Sequence, residues 1–116
     1  MVAIERLRDW IGTRLYDRGG EEIGEIVDIY YDVDRDEEAF VVVKGGFLNR
    51  HRYLVPLDGA TASRNWLRAR WTKETITGFE VADDALASTD EQAIFEHYEL
   101  PYEPAANPSG RRLARR

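Results

Sequence analysis

Gly20-Glu21-Glu22-Ile23-Gly24-Glu25-Ile26-Val27-Asp28-Ile29-Tyr30-Tyr31-Asp32-Val33 decides how the rest of the chain is read. From Ile23 to Val33 it is long and rich in β-branched and aromatic side chains, which fit a pleated surface. The odd positions Ile23, Val27, Ile29, Tyr31 and Val33 are apolar, with Glu25 the exception. Gly24, Asp28 and Asp32 fall on the even face, but so do Ile26 and Tyr30. Alternation this imperfect predicts a strongly bent strand, with Gly24 easing the bend.

Working outward, the pattern stays β. Upstream, Trp10 to Tyr16 reads as a strand, and Asp17-Arg18-Gly19-Gly20 as the hairpin turn that follows it. Downstream, Asp34-Arg35-Asp36-Glu37-Glu38 is a polar turn, and Phe40-Val41-Val42-Val43 a strand covered on both faces. Gly45-Gly46 ends it. Tyr53-Leu54-Val55-Pro56-Leu57 is the next strand, and Pro56 puts its end at an edge, since proline cannot donate to a ladder. In Trp66 to Trp71 the residues Leu67, Ala69 and Trp71 share the expected core face, opposite Trp66, Arg68 and Arg70.

After Lys73 the character changes. Thr72 to Ile76 predicts one helical turn, and Gly78 to Ala87 is irregular. Ser88-Thr89-Asp90-Glu91 offers a capping box with Ser88 as N-cap, and Ile94, Phe95 and Tyr98 form an apolar stripe at helical spacing. Pro101 stops that helix. The expected fold class is mainly β: a small antiparallel β-barrel with a C-terminal α-helix, because short strands must curl to cover their edges. Its core is expected to hold Ile11, Leu15, Ile23, Val27, Ile29, Val41, Val43, Leu54 and Leu67, with Ile94 and Tyr98 from the helix. Residues 1–9 read as an extension or short helix, 10–102 as the folded domain, and 103–116 as a flexible basic tail.

Composition narrows the chemistry. The chain has 116 residues, a net charge of −6 and no cysteine. Disulfides, thiolate nucleophiles and Cys-ligated metals are therefore excluded. Charge is segregated: residues 21–38 carry nine acids and only Arg35, residues 50–73 six bases and only Asp58, and residues 74–103 nine acids with no Lys or Arg. The acidic total disfavours nucleic acid as a general partner. No apolar run reaches the roughly 20 residues of a membrane helix, so no membrane partner and a cytoplasmic location are expected.

Several motifs in order resemble the PRC-barrel domain family, shared by the photosynthetic reaction-centre H subunit and RimM-type ribosome-maturation factors. Ile11-Gly12, Leu15-Tyr16-Asp17 and Gly20 to Tyr30 resemble the opening hairpin of that family. Val43-Lys44-Gly45-Gly46-Phe47-Leu48, Val55-Pro56-Leu57 and Thr72-Lys73-Glu74-Thr75-Ile76 continue the resemblance, and Phe95-Glu96-His97-Tyr98 is similar to the helix end of stand-alone bacterial members. Gly78-Phe79 stands where that pattern has Ala-Pro, and Glu99 where it has a capping glycine. The resemblance implies a protein-interaction or assembly module, often self-associating, with no catalytic residues to transfer.

The residues agree on what to expect. Asp32, Asp34 and Asp36 alternate as at the start of a calcium loop, but Glu37 replaces the required glycine and Val43 the closing glutamate. His51 lies between two arginines, and His97 sits on the expected helix with no second histidine nearby. Ser63, Ser88 and Ser109 lack a nucleophile-elbow context. The expectation is no catalytic residue, no cofactor and no metal, and a homodimer whose candidate interface is Trp66, Arg68, Arg70, Arg50, Arg52, Phe47 and Leu48. Two alternatives stand beside it: an RNA-metabolism accessory domain using the basic-aromatic strand at 64–73, and a small-ligand or cation site in the acidic turn at 32–38.

Overall fold

The strand β2 (Glu22–Asp32) touches three others. On one side it pairs antiparallel with β3 (Glu37–Gly45) from Gly24 to its end at Asp32. On the other side β1 (Arg14–Tyr16) takes its first residues and β7 (Leu113–Arg115) its last. The sheet continues outward from β3 to β4 (His51–Pro56), and from β1 to β6 (Trp66–Arg68) and the two-residue β5 (Thr61–Ala62). These facts come from a computed structural model that describes residues 9–81 and 88–115. All but Asp9 of the expected extension at 1–9, most of the irregular stretch after Gly78, and the Ser88 cap lie outside the described residues.

Two features correct the expectation of an antiparallel barrel. The hydrogen-bonded path runs β4-β3-β2-β1-β6-β5 and does not close among the described residues, and β1 pairs with β6 in parallel. The gap is filled by side chains of α2 (Ser88–His97) and of Tyr98, which follows it. Tyr98 is fully buried; its hydroxyl donates to the Leu54 carbonyl on β4 at 2.6 Å, and its ring lies 5.1 Å from that of Trp71, just beyond β6. Phe95 meets Phe40 edge to face at 5.5 Å. Glu99 takes the left-handed conformation (φ 55) usually given to glycine, and the Leu100 amide closes the helix end on the Phe95 carbonyl at 2.8 Å. The short helix α1 (Lys73–Thr77), capped by Thr72, forms where one helical turn is expected.

The broken alternation of β2 has a local cause. Ile26 faces Val43 and Asp28 faces Val42, leaving Val27 as an extra residue in a bulge. The bulge shifts the phase, so Ile26 and Tyr30 are buried as well as Ile23 and Ile29, while Val27 is half-buried. Gly24 and Gly45 face each other so closely that a β-carbon on Gly24 would overlap the Lys44 carbonyl oxygen, and one on Gly45 that of Ile23. The rest of the expected core is buried, with two corrections: Val27 is only half-buried, and Ile11 is 48% exposed. Trp10 to Thr13 forms a turn instead of a strand, closed by the Thr13 amide on the Trp10 carbonyl, and this turns Ile11 outward.

The segment expected as a flexible tail also differs. Leu113 is 1% exposed and β7 lies against Tyr30 to Asp32. What holds this segment is mostly ionic. The Arg112 guanidinium sits 3.0 Å from Asp32, and both side chains are buried. Glu91, also fully buried, accepts the Arg112 and Leu113 amides at 2.9 Å each and Arg111 Nε at 3.3 Å.

Candidate interaction site

The Gly45-Gly46 turn after β3 leads into a single 3-10 turn, Phe47–Asn49. Gly46 has φ 75, and a β-carbon there would run into the His51 ring and the Tyr53 hydroxyl. Those two rings stack at 6.2 Å beneath it, and Glu80 Oε2 lies 2.9 Å from His51 Nδ1. Above this base Phe47 is 70% exposed and Leu48 66%. Leu48 has φ 59 and Asn49 φ 54. Asparagine tolerates that conformation, but a leucine there costs about 1–2 kcal/mol. The turn therefore holds two apolar side chains in water on a backbone that one of them disfavours.

The other candidate residues separate into two groups. Trp66, Arg14, Glu25, Lys44 and Arg52 are successive partners across β6, β1, β2, β3 and β4. They form one cross-strand row on the outer face. Arg50 and Arg52 stand at the Phe47-Leu48 end of that row, and Trp66 at the far end, four strand spacings or roughly 19 Å away. At the Trp66 end the exposed Arg68 guanidinium lies 5.9 Å from the half-buried Trp66 ring. Arg70 lies 4.5 Å over Trp71 and is ion-paired with Asp58. The seven residues named from the sequence are thus two surfaces.

The acidic turn is occupied by the protein itself. Asp32 binds Arg112 and accepts the Asp34 and Arg35 amides at 3.0 and 3.2 Å. Asp34 accepts the Ala106 amide at 2.9 Å and the Asn107 side chain at 2.7 Å, and these two bonds hold its carboxyl below the usual value. Asp17 is buried. Burial raises its pKa, but bonds from the Glu21, Lys73, Gly19 and Gly20 amides outweigh that and leave it lowered. It ties the β1–β2 turn to the start of α1. His97 Nε2 bonds the Thr75 carbonyl at 2.6 Å, pinning α2 to α1. Among the described residues no group of three or more His, Asp or Glu could hold a metal ion.

Sequence reasoning missed a cleft beside the acidic turn. It has a volume of about 460 Å³ and opens between the start of β3, the end of β4 and the residues after α2. Its apolar surface comes from Phe40, Leu57, Ala60, Phe95 and Leu100, and Glu37, Glu38 and Asp58 lie around it. Four separated stretches build it, so no single stretch of sequence marks it. Asp32 and Arg112 close its inner end; Arg112 carried no signal, since an arginine in a proline-rich segment reads as solvated.

No helix among the described residues is long and apolar enough to cross a membrane. No curated protein matches the chain. The model of the PRC-barrel domain matches residues 4–76, which takes in β1 to β6, the exposed Phe47-Leu48 turn and most of α1. A bulged β2, the glycine pair beside it and the strand order around it fall within that match, and the chain belongs to the PRC-barrel domain family.

Proposed function

We propose that this chain is a non-enzymatic protein-interaction module that associates with itself, and that the Phe47-Leu48 turn is its principal contact. The carrying observation is the exposure of these two side chains, 70% and 66%, on a turn where Leu48 adopts a left-handed conformation. Apolar side chains held out at a cost to folding are a recurring sign of a working surface. Arg50 and Arg52 flank the turn, and arginine beside an aromatic ring is the composition that interfaces favour. Family membership supports an interaction role in general. Arg68 and Trp66 form a second, smaller surface, since Arg70 is engaged by Asp58.

The test is sedimentation velocity of the full chain over a wide concentration range, alongside Phe47→Ser/Leu48→Ser. Dimer formation by the natural chain and its loss in the double variant support the proposal. A natural chain that stays monomeric at the highest concentrations ends the self-association.

A further inference from the structure

The two ends of the β3–β4 hairpin offer opposite things. At one end Phe47 and Leu48 project into water, with Lys44, Arg50 and Arg52 near them against two acids, Glu25 across from Lys44 and Glu80 beside His51. At the other end the cleft presents an apolar floor of Phe40, Leu57, Ala60, Phe95 and Leu100. Its rim carries Glu37, Glu38 and Asp58 against the exposed Arg35 and against Arg70, which pairs with Asp58. An apolar knob in a positive setting matches an apolar cleft in a negative one.

The knob cannot enter the cleft of its own chain. Phe40 pairs with Pro56 at the cleft, and Gly45 pairs with His51 beneath the knob. The ladder between those two pairs holds them about 17 Å apart. Only another molecule can bring knob and cleft together.

We propose that the Phe47-Leu48 knob docks in the cleft of a second copy of this chain, in an antiparallel pair related by a two-fold axis. The proposal rests on the self-association reading and names its interface. Because knob and cleft lie at opposite ends of one hairpin, two hairpins laid antiparallel place both knobs at both clefts at once. Each copy gives a knob and receives one, so neither is left over and assembly stops at two. The contact has an apolar centre and a charged rim, as specific interfaces do.

Three full-length proteins test it by sedimentation equilibrium: the natural chain, the knob variant Phe47→Ser/Leu48→Ser, and the cleft variant Ala60→Arg. The natural chain dimerises, and each variant alone does so at least about 30-fold more weakly, the loss expected of a hot-spot residue. An equimolar mixture of the two variants regains dimer, because it keeps one intact knob and one intact cleft. Circular dichroism checks that each variant folds. Glu37→Lys, on the exposed rim, is a second cleft variant that disturbs no core side chain and weakens the dimer in the same direction. A mixture that stays monomeric, or cleft variants that dimerise as tightly as the natural chain, overturns the knob-in-cleft geometry while self-association stands. A natural chain that never dimerises overturns both.

Discussion

Where β2 meets β3, the contact is a long ladder backed by apolar side chains, with Ile26, Val41 and Val43 fully buried and Gly24 pressed against Gly45. Where the same strand meets β7, the ladder is only Tyr30, Tyr31 and Asp32 against Arg115, Ala114 and Leu113. Leu113 is the one large apolar side chain that segment buries, and much of the remaining hold comes from Asp32, Glu91, Asp34 and the Asp28–Arg115 ion pair. The first contact works at any pH at which the chain is folded. The second depends on charged and polar groups and on their partners being in place. One strand therefore carries a contact set by shape on one flank and one set by charge on the other.

The shape-set flank is the more sensitive of the two to substitution. Gly45→Ala forces a β-carbon onto the Ile23 carbonyl oxygen, and urea unfolding should register a loss of about 4 kcal/mol or more. A loss under about 1 kcal/mol would mean the strands are not this close. On the charge-set flank, Arg112→Leu leaves Asp32 buried without its cation and should cost about 3–5 kcal/mol. Adding Asp32→Leu should return part of that; a double variant worse than the single would contradict the pairing.

Acid sharpens the contrast. Asp34 and Asp17 both have lowered folded pKa values. Their contributions are therefore full above the unfolded carboxylate value of about 4 and are lost as pH falls through the lower folded values. Unfolding midpoints measured from pH 6 down to pH 2 should fall along that path. The fall should be shallower in Asp34→Asn and in Asp17→Asn, and an unchanged slope in both would rule out this cause. The smallest effect belongs to the knob. Leu48→Gly relieves a left-handed leucine, so its melting temperature should match or slightly exceed that of the natural chain. A clear loss of stability would show that Leu48 packs against the fold.

This contrast also explains what could be read in advance. Leu15, Ile23, Ile29, Val41, Val43, Leu54 and Leu67 are legible as core because strand alternation and apolar runs mark them locally, and each is buried. The bulge at Val27 shows only as an irregular alternation, since an extra residue has no composition of its own. The parallel pairing of β1 with β6 leaves no local mark either, because direction of pairing is decided by the path of the chain. Phe47 and Leu48 could be placed on the surface from their position between turn glycines and Asn49-Arg50. The cleft could not, being assembled from four separated stretches. Residues 103–115 read as solvated for the reason that β7 differs from β3: two prolines and three arginines lie in close succession, and nothing in Arg111-Arg112-Leu113 announces two buried carboxylates waiting for it.

The reach of those carboxylates sets an order of events during folding. The β2–β3–β4 meander joins strands that follow one another along the chain, whereas Asp32 and Arg112 are 80 residues apart and Asp17 and Lys73 are 56 apart. Closing such long loops is entropically costly and slows folding, so the meander is expected to assemble before the β2–β7 seam. In that interval the bed of Leu113 is open and the end of β2 has an unpaired edge. A chaperone, or a neighbouring nascent chain, would meet this protein there before the native partner arrives.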